Sequence, residues 1–187
     1  MRARLFLLGV LLCAGASSAK QEEQSHSFVP SDLSAGAHPA LHLKRIGNYD
    51  VATLVGKAKV KGTFVAEWIF GPDEDKVPTQ KSYTFVVDQK TAESLPHWMN
   101  YVATSIDIDN GKEALVMFAG SELAHQFEAH AASKISVPGT LSLSKLQVWV
   151  ECDSANARAH ATADSDVGKP IVEKKVADLT CSGPSDD

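Results

Sequence analysis

Apolar positions along this chain change period several times, and each change marks an element. From Val51 the stretch VATLVGKAKVKGTFVAEWIF settles into alternation through Ala58, Val60, Gly62, Phe64, Ala66, Trp68 and Phe70. Lys57, Lys59 and Lys61 fall on the opposite face, which predicts a strand with one dry and one wet side. Gly56 and Gly62 inside it predict bulges or sharp coiling, as in strands that bend around a small barrel. Gly71-Pro72-Asp73 ends the run, and Ser82–Asp88 reads as the next strand. Lys90–Asn100 fits either a short helix broken at Pro96 or a loop that packs Leu95, Trp98 and Met99. Ser105–Asp109 and Lys112–Phe118 flank Asn110-Gly111, a dipeptide that tolerates the positive φ of a type I′ turn. A hairpin is therefore expected there, with Asp109 facing Lys112.

The next stretch, Gly120–Cys152, has the clearest pattern. Leu123, Phe127 and Ala131 recur every fourth position and predict one helix over Ser121–Ser133, with Ser121 as cap and Glu122 at the positive end of the dipole. After Lys134 the period becomes two, through Ile135, Val137, Leu141, Leu143, Leu146, Val148 and Val150. Pro138-Gly139 is expected to divide this into two strands. Asp153–Asn156 reads as a polar turn, Arg158–Thr162 as a strand, and Lys169–Cys181 as a weak final strand.

The N-terminus changes the picture of where the protein works. Arg2 and Arg4 precede the apolar run Leu5–Cys13, and Ser17-Ser18-Ala19 supplies small residues before a cleavage point. That is the pattern of a secretory signal peptide over 1–19, too short to span a bilayer. Cys13 follows the bulky Leu12, which disfavours lipidation. Residues 20–50 read as a mobile lead-in, 51–181 as one β-rich domain, and 182–187 as a tail. Export is expected, to the periplasm in a Gram-negative cell and otherwise to the medium. No later stretch is apolar enough for a transmembrane segment.

Removing 1–19 takes two basic residues and no acid, which makes the net charge of −5 more negative by two. An acidic chain without a basic run argues against nucleic-acid binding. After cleavage Cys152 and Cys181 remain, and in an oxidising compartment they are expected to form a disulfide that ties down the C-terminal tail. Such a bridge is worth about 3.5 kcal/mol on the chain-entropy account. A catalytic thiol is the alternative.

The catalytic patterns searched for are mostly absent. There is no nucleophile elbow and no phosphate-cradling glycine loop. Asp107-Ile-Asp109-Asn110-Gly111 has its glycine one residue early for a calcium loop, and Phe118 stands where the last carboxylate belongs. His38 and His42 are four apart, but Pro39 interrupts any helix between them, so they read as loop histidines. Glu122, His125 and Glu128 can share a helical flank and are the only weak catalytic candidates, whereas His130 is five positions from His125 and points elsewhere. His160 or His97 would have to join from other elements to make a metal site, so no metal and no cofactor is expected. Trp149 shares a strand face with Gln147 and Glu151. Exposed together with Tyr83 or Tyr101 it would form a binding patch for a protein or small ligand such as a sugar. Covered by the C-terminal tail, it would be structural.

The element order is similar to that of the OB-fold: a long coiled strand carrying Gly62, strands at Ser82–Asp88 and Ala114–Phe118, the helix Ser121–Ser133, then Val137–Leu143 and Leu146–Cys152. It also resembles small exported bacterial OB-like domains of unknown function with V-x-G-T-type strands. The resemblance implies a mainly β chain with one helix, built as a small OB-like β-barrel; the added hairpin strand at Ser105–Asp109 and the tail after Asp153, expected to be tied by the disulfide, depart from the minimal fold. It implies no catalytic residues. The expected function is an exported non-enzymatic binding protein, an inhibitor or neutraliser of a protein partner. The alternatives are an envelope hydrolase using the Glu/His cluster and a structural envelope component.

Overall fold

The computed structural model describes residues 33, 40–70, 78–97, 102–151, 154–162 and 167–173. The strands are β1 (Leu41–Ile46), β2 (Ala52–Ile69), β3 (Gln80–Val87), β4 (Ser105–Ile108), β5 (Lys134–Glu151), β6 (Ser154–Thr162) and β7 (Ile171–Val172). The helices are α1 (Gln89–Ala92), α2 (Gly111–Ala119) and α3 (Ser121–Glu128). The chain is thus mainly β, as expected, with three α-helices and a short 3-10 turn at Asn48–Asp50 among the described residues, where one helix was anticipated. No described helix is long and apolar enough to cross a membrane.

All seven strands belong to one sheet, and five of them form a closed circuit of pairings. β2 pairs with β3, β3 with β4, β4 with β6, β6 with β5, and β5 returns to β2. Among the described strand pairs only β4–β6 is parallel. β2 enters both sides of the circuit because it is long enough to pair with β5 along one edge and with β3 along the other. Its register against β5 shifts between Val55 and Ala58, around Gly56. At Gly62 a Cβ would lie 2.1 Å from the Val86 carbonyl oxygen, so only glycine allows β3 that close. Inward-facing Val60, Phe64, Phe85, Ile106, Leu141, Leu143 and Val148 fill the interior, each at most 2% exposed.

α2 corrects the hairpin expectation. Asn110-Gly111 makes no type I′ turn, and Lys112–Phe118 is helical. Gly111, Ala114, Leu115 and Phe118 are buried at helical spacing. Phe118 stacks on Phe64 with ring centroids 4.8 Å apart, and also meets Phe85 at 6.0 Å. The N-terminus of α2 sits on Tyr83 so closely that a Cβ at Gly111 would fall 2.1 Å from the ring. The side chain of Asn110 has another task. Its Nδ2 donates to the Ala161 carbonyl at 2.9 Å, and its Oδ1 accepts from the Ala161 N–H at 2.8 Å. The amide thus substitutes for one more residue of β4 beside β6.

α3 begins after Gly120, whose φ of 83° separates it from α2, and Ser121 makes no cap bond. It also stops earlier than Ser133. Ala131 N–H bonds to Gln126 O at 2.8 Å and His130 N–H to Phe127 O at 3.1 Å, while His130 has φ 57°. Those two bonds around a left-handed residue make a Schellman motif, with histidine in the place glycine usually takes. Ala131 is exposed and lies outside the helix.

Three further expectations change. Pro138-Gly139 does not divide β5, because Pro138 stays in register opposite Thr63 and Gly139 opposite Gly62. β6 begins at Ser154, inside the stretch expected as a turn. β1 lies within the expected lead-in but pairs with β2 from Leu41 to Ile46. In the stretch expected as a helix broken at Pro96 or a packed loop, α1 ends at Ala92, Leu95 packs into the core, and Trp98 and Met99 lie outside the described residues. The signal segment, Tyr101, Cys152 and Cys181 lie outside the described residues, as does most of the expected final strand.

Candidate functional site

The outer side of β3, β4, β6 and β5 carries a row of polar side chains fixed by strand register. Thr84 faces Asp107, Asp107 faces Arg158, and Arg158 faces Gln147. Directly paired residues point to the same side of a sheet, so these four side chains form one line across four strands. Trp149, two residues on from Gln147, is opposite Asn156 and lies diagonally from Arg158.

Arg158 is the hub of this face. Its guanidinium is 3.9 Å from the Asp107 carboxylate and 5.7 Å from the centre of the Trp149 ring. Beside it, His160 Nδ1 is 2.8 Å from Asp109 Oδ1, which fixes the imidazole and leaves Nε2 pointing away from the carboxylate. Arg158 is 51% and Asp107 57% exposed, so their attraction is screened and worth roughly 0–1 kcal/mol. The pairs therefore hold the side chains in place yet exchange for outside partners at little cost. A shallow groove of about 430 Å³ borders the face, lined by Ile69, Lys81, Tyr83, Asp107, Asp109 and Arg158.

The sequence-derived candidates divide between this face and others. Gln147 and Trp149 lie on it, both half-buried. Tyr83 only reaches the end of the groove, because its ring turns toward Gly111 and Phe127 beneath the helices. Tyr101 lies outside the described residues. Arg158 was not singled out by the sequence, Asp107 and Asp109 were weighed there only as a calcium loop, and His160 only as a recruit to a metal site. Outward alternation of Arg158 and His160 in an Ala-rich strand was the available signal, since Ala157, Ala159 and Ala161 take the inner positions. The expected Asp109–Lys112 pair is replaced by Asp109–His160 because no hairpin forms there.

A second cluster surrounds Trp68 where the helices meet the strands. Trp68 Nε1 donates to the Phe127 carbonyl at 2.9 Å. The His130 ring stacks on the indole at 3.9 Å, and Lys81 Nζ lies 4.7 Å from its centre. Lys81 is ion-paired with Glu128, whose other oxygen is 3.4 Å from the Tyr83 hydroxyl. The hydrogen bond from Lys81 holds the Glu128 carboxyl below its ordinary range. Burial, and then the neighbouring Glu128 charge, push the Tyr83 phenol up to about 12.

Glu122, His125 and Glu128 are all exposed. Glu122 accepts from Gln126 at 3.0 Å, Glu128 is committed to Lys81 and Tyr83, and His125 borders a hollow of about 390 Å³ between α2 and α3 with Lys112 and Val116. Among the described residues no group of three His, Cys, Asp or Glu side chains is arranged to hold a metal ion. Compared with known proteins, the chain matches no family model, no curated protein and no solved structure.

Proposed function

We propose that this protein is an exported, non-enzymatic binding module, a small OB-like β-barrel that presents the Arg158–Trp149 face to a protein partner. The barrel reading is supported by the pairing circuit β2–β3–β4–β6–β5–β2, by its single parallel pair, and by helices placed between β4 and β5. The export reading is supported by Arg2, Arg4, the apolar run Leu5–Cys13 and the small residues before Lys20. A Cys152–Cys181 bridge belongs to the same proposal, as does a periplasmic location in a Gram-negative cell.

One observation carries the binding reading: a half-buried tryptophan with an arginine over its ring, in a line of exposed polar groups that strand register has already positioned. Tryptophan and arginine dominate the energetics of protein interfaces, and preorganised side chains lose little entropy on binding. The acidic net charge favours a basic partner through steering, and a basic enzyme neutralised by this face is the form the proposal takes. The hydrolase alternative draws less support, because Glu122, His125 and Glu128 are solvated on a helix surface.

The test is affinity capture from envelope extract with the wild type, Trp149→Ala, Arg158→Ala and, as a control on a remote exposed lysine, Lys57→Ala. A single stoichiometric partner should be retained by the control and lose affinity by roughly 30-fold or more with either face variant, the effect of a ~2 kcal/mol hot spot. Retention by both face variants, or capture of nothing at low salt, would refute the proposal.

A further inference from the structure

The adjoining surface, which shares Thr84 with the end of the Arg158 row, has the pattern of a self-complementary contact. Across the outer side of β3, β2 and β5, register aligns Val86, Thr63 and Pro138 in one row, and Thr84, Val65 and Ser136 in the next. β7 extends the second row with Ile171 opposite Ser136. None of these side chains is charged, in a chain whose residues are 22% charged. Val86 is 48% and Ile171 58% exposed. Charges return immediately above and below. Lys61 lies on one side, next to Asp88, whose N–H bonds to the Lys61 carbonyl at 3.0 Å. Glu67 lies on the other, 3.8 Å from Lys134.

We propose that this face docks a second copy of the chain, with the two β2 strands antiparallel about a two-fold axis at Phe64. Such an axis, lying between the sheets and perpendicular to the strands, sets each β2 residue against the one equally far beyond position 64 in its partner. Lys61 then meets the partner's Glu67, and the reverse contact repeats it. Thr63 meets Val65, Val86 meets Thr84, and Pro138 meets Ser136. Asp88 falls on Ser82, and Lys134 falls over the position of Thr140, which is buried in its own chain, so no like charges are opposed. Two complementary ion pairs bracket an uncharged centre. The charge pattern selects a copy of the same chain as the occupant, because an unrelated partner has no reason to carry the inverse order.

The contact is small. From residue 61 to 67 it runs about 20 Å along the strands, and from β3 to β7 about 14 Å across them, or roughly 300 Å² of projected face. Stable interfaces bury about 800 Å² on each partner, so this dimer is weak and dissociates on dilution. The contact shares Thr84 with the end of the Arg158 row but none of its charged groups or Trp149.

Sedimentation velocity on the purified protein between about 10 μM and about 1 mM, at low salt, tests it. The weight-average mass should climb from monomer toward dimer with concentration. Lys61→Glu and Glu67→Lys should each weaken association about tenfold, since each converts two attractions into two repulsions, and the double charge swap should restore it. Circular dichroism of each variant verifies the fold, and Val86→Lys supplies an independent disruption in the uncharged centre. A constant monomer mass up to 1 mM would overturn the proposal. So would folded single variants that associate like the wild type, or a folded double variant that fails to recover.

Discussion

Replacing Asn110 by aspartate tests how the circuit of strands is closed beside α2. The wild-type side chain makes two bonds to the backbone of Ala161, donating at 2.9 Å and accepting at 2.8 Å. Asparagine and aspartate have nearly the same shape, so packing is preserved. The substitution keeps the accepting oxygen and turns the donor into a second oxygen facing the Ala161 carbonyl. One bond worth about 1 kcal/mol is lost, and a half-buried carboxylate oxygen is pressed against a carbonyl, which adds a further ~1–2 kcal/mol. The expected loss at pH 7 is about 2–3 kcal/mol, which lowers a urea midpoint by roughly 1 M at a slope near 2 kcal/mol/M. Protonation restores a donor, so the introduced carboxyl binds its proton more tightly in the folded state than in the unfolded chain. The penalty is therefore absent below the unfolded carboxyl pKa of about 3.9 and develops as pH rises through the raised folded value. Urea melts of wild type and Asn110→Asp, at neutral pH and near pH 3.5, measure it as a difference. A variant as stable as wild type at pH 7, or a penalty unchanged on acidification, would refute the role assigned to the amide.

Two other consequences are direct. Gly62→Ala should cost about 2–3 kcal/mol by thermal or urea unfolding, because its Cβ would meet the Val86 carbonyl at 2.1 Å and backbone on both sides resists the shift. Ultraviolet titration should find Tyr83, among the three tyrosines, ionising near 12, and Glu128→Gln should bring that value down without returning it to normal, since burial is the larger cause. The depressed Glu128 carboxyl contributes stability above its ordinary value of 4.5 that fades as pH falls through the lower folded value, so the same variant should flatten that part of the acid-side stability profile.

Much of the β framework was legible in the chain because alternation is a local property. The wet and dry faces of β2 follow from Lys57, Lys59 and Lys61 set against Ala58, Val60 and Phe64, and these are exposed and buried as the pattern requires. The irregularity at Gly56 and the placement of Gln147 with Trp149 on an outer face were equally readable. Asn110-Gly111 misled for a specific reason. Its local preference for a turn is real but worth little against burial of Ala114, Leu115 and Phe118, and those residues find a surface only when Phe64, Phe85 and Tyr83 have been brought together. The end of α3 was hidden because histidine stands at the left-handed position, and the compensating stack on Trp68 comes from a strand some sixty residues earlier.

What the sequence by itself determined, then, is that β2, β3 and the two halves of β5 are strands and which side of β2 and β5 stays dry, since both depend on neighbours one and two residues away. Only the tertiary structure decided that Lys112–Phe118 is a helix, that β4 runs parallel to β6, and that Asp107, Arg158 and Trp149 share one face. Those outcomes depend on contacts across strands and helices distant in the chain, such as Tyr83 with Gly111 and Asp107 with Arg158, and no local period records them.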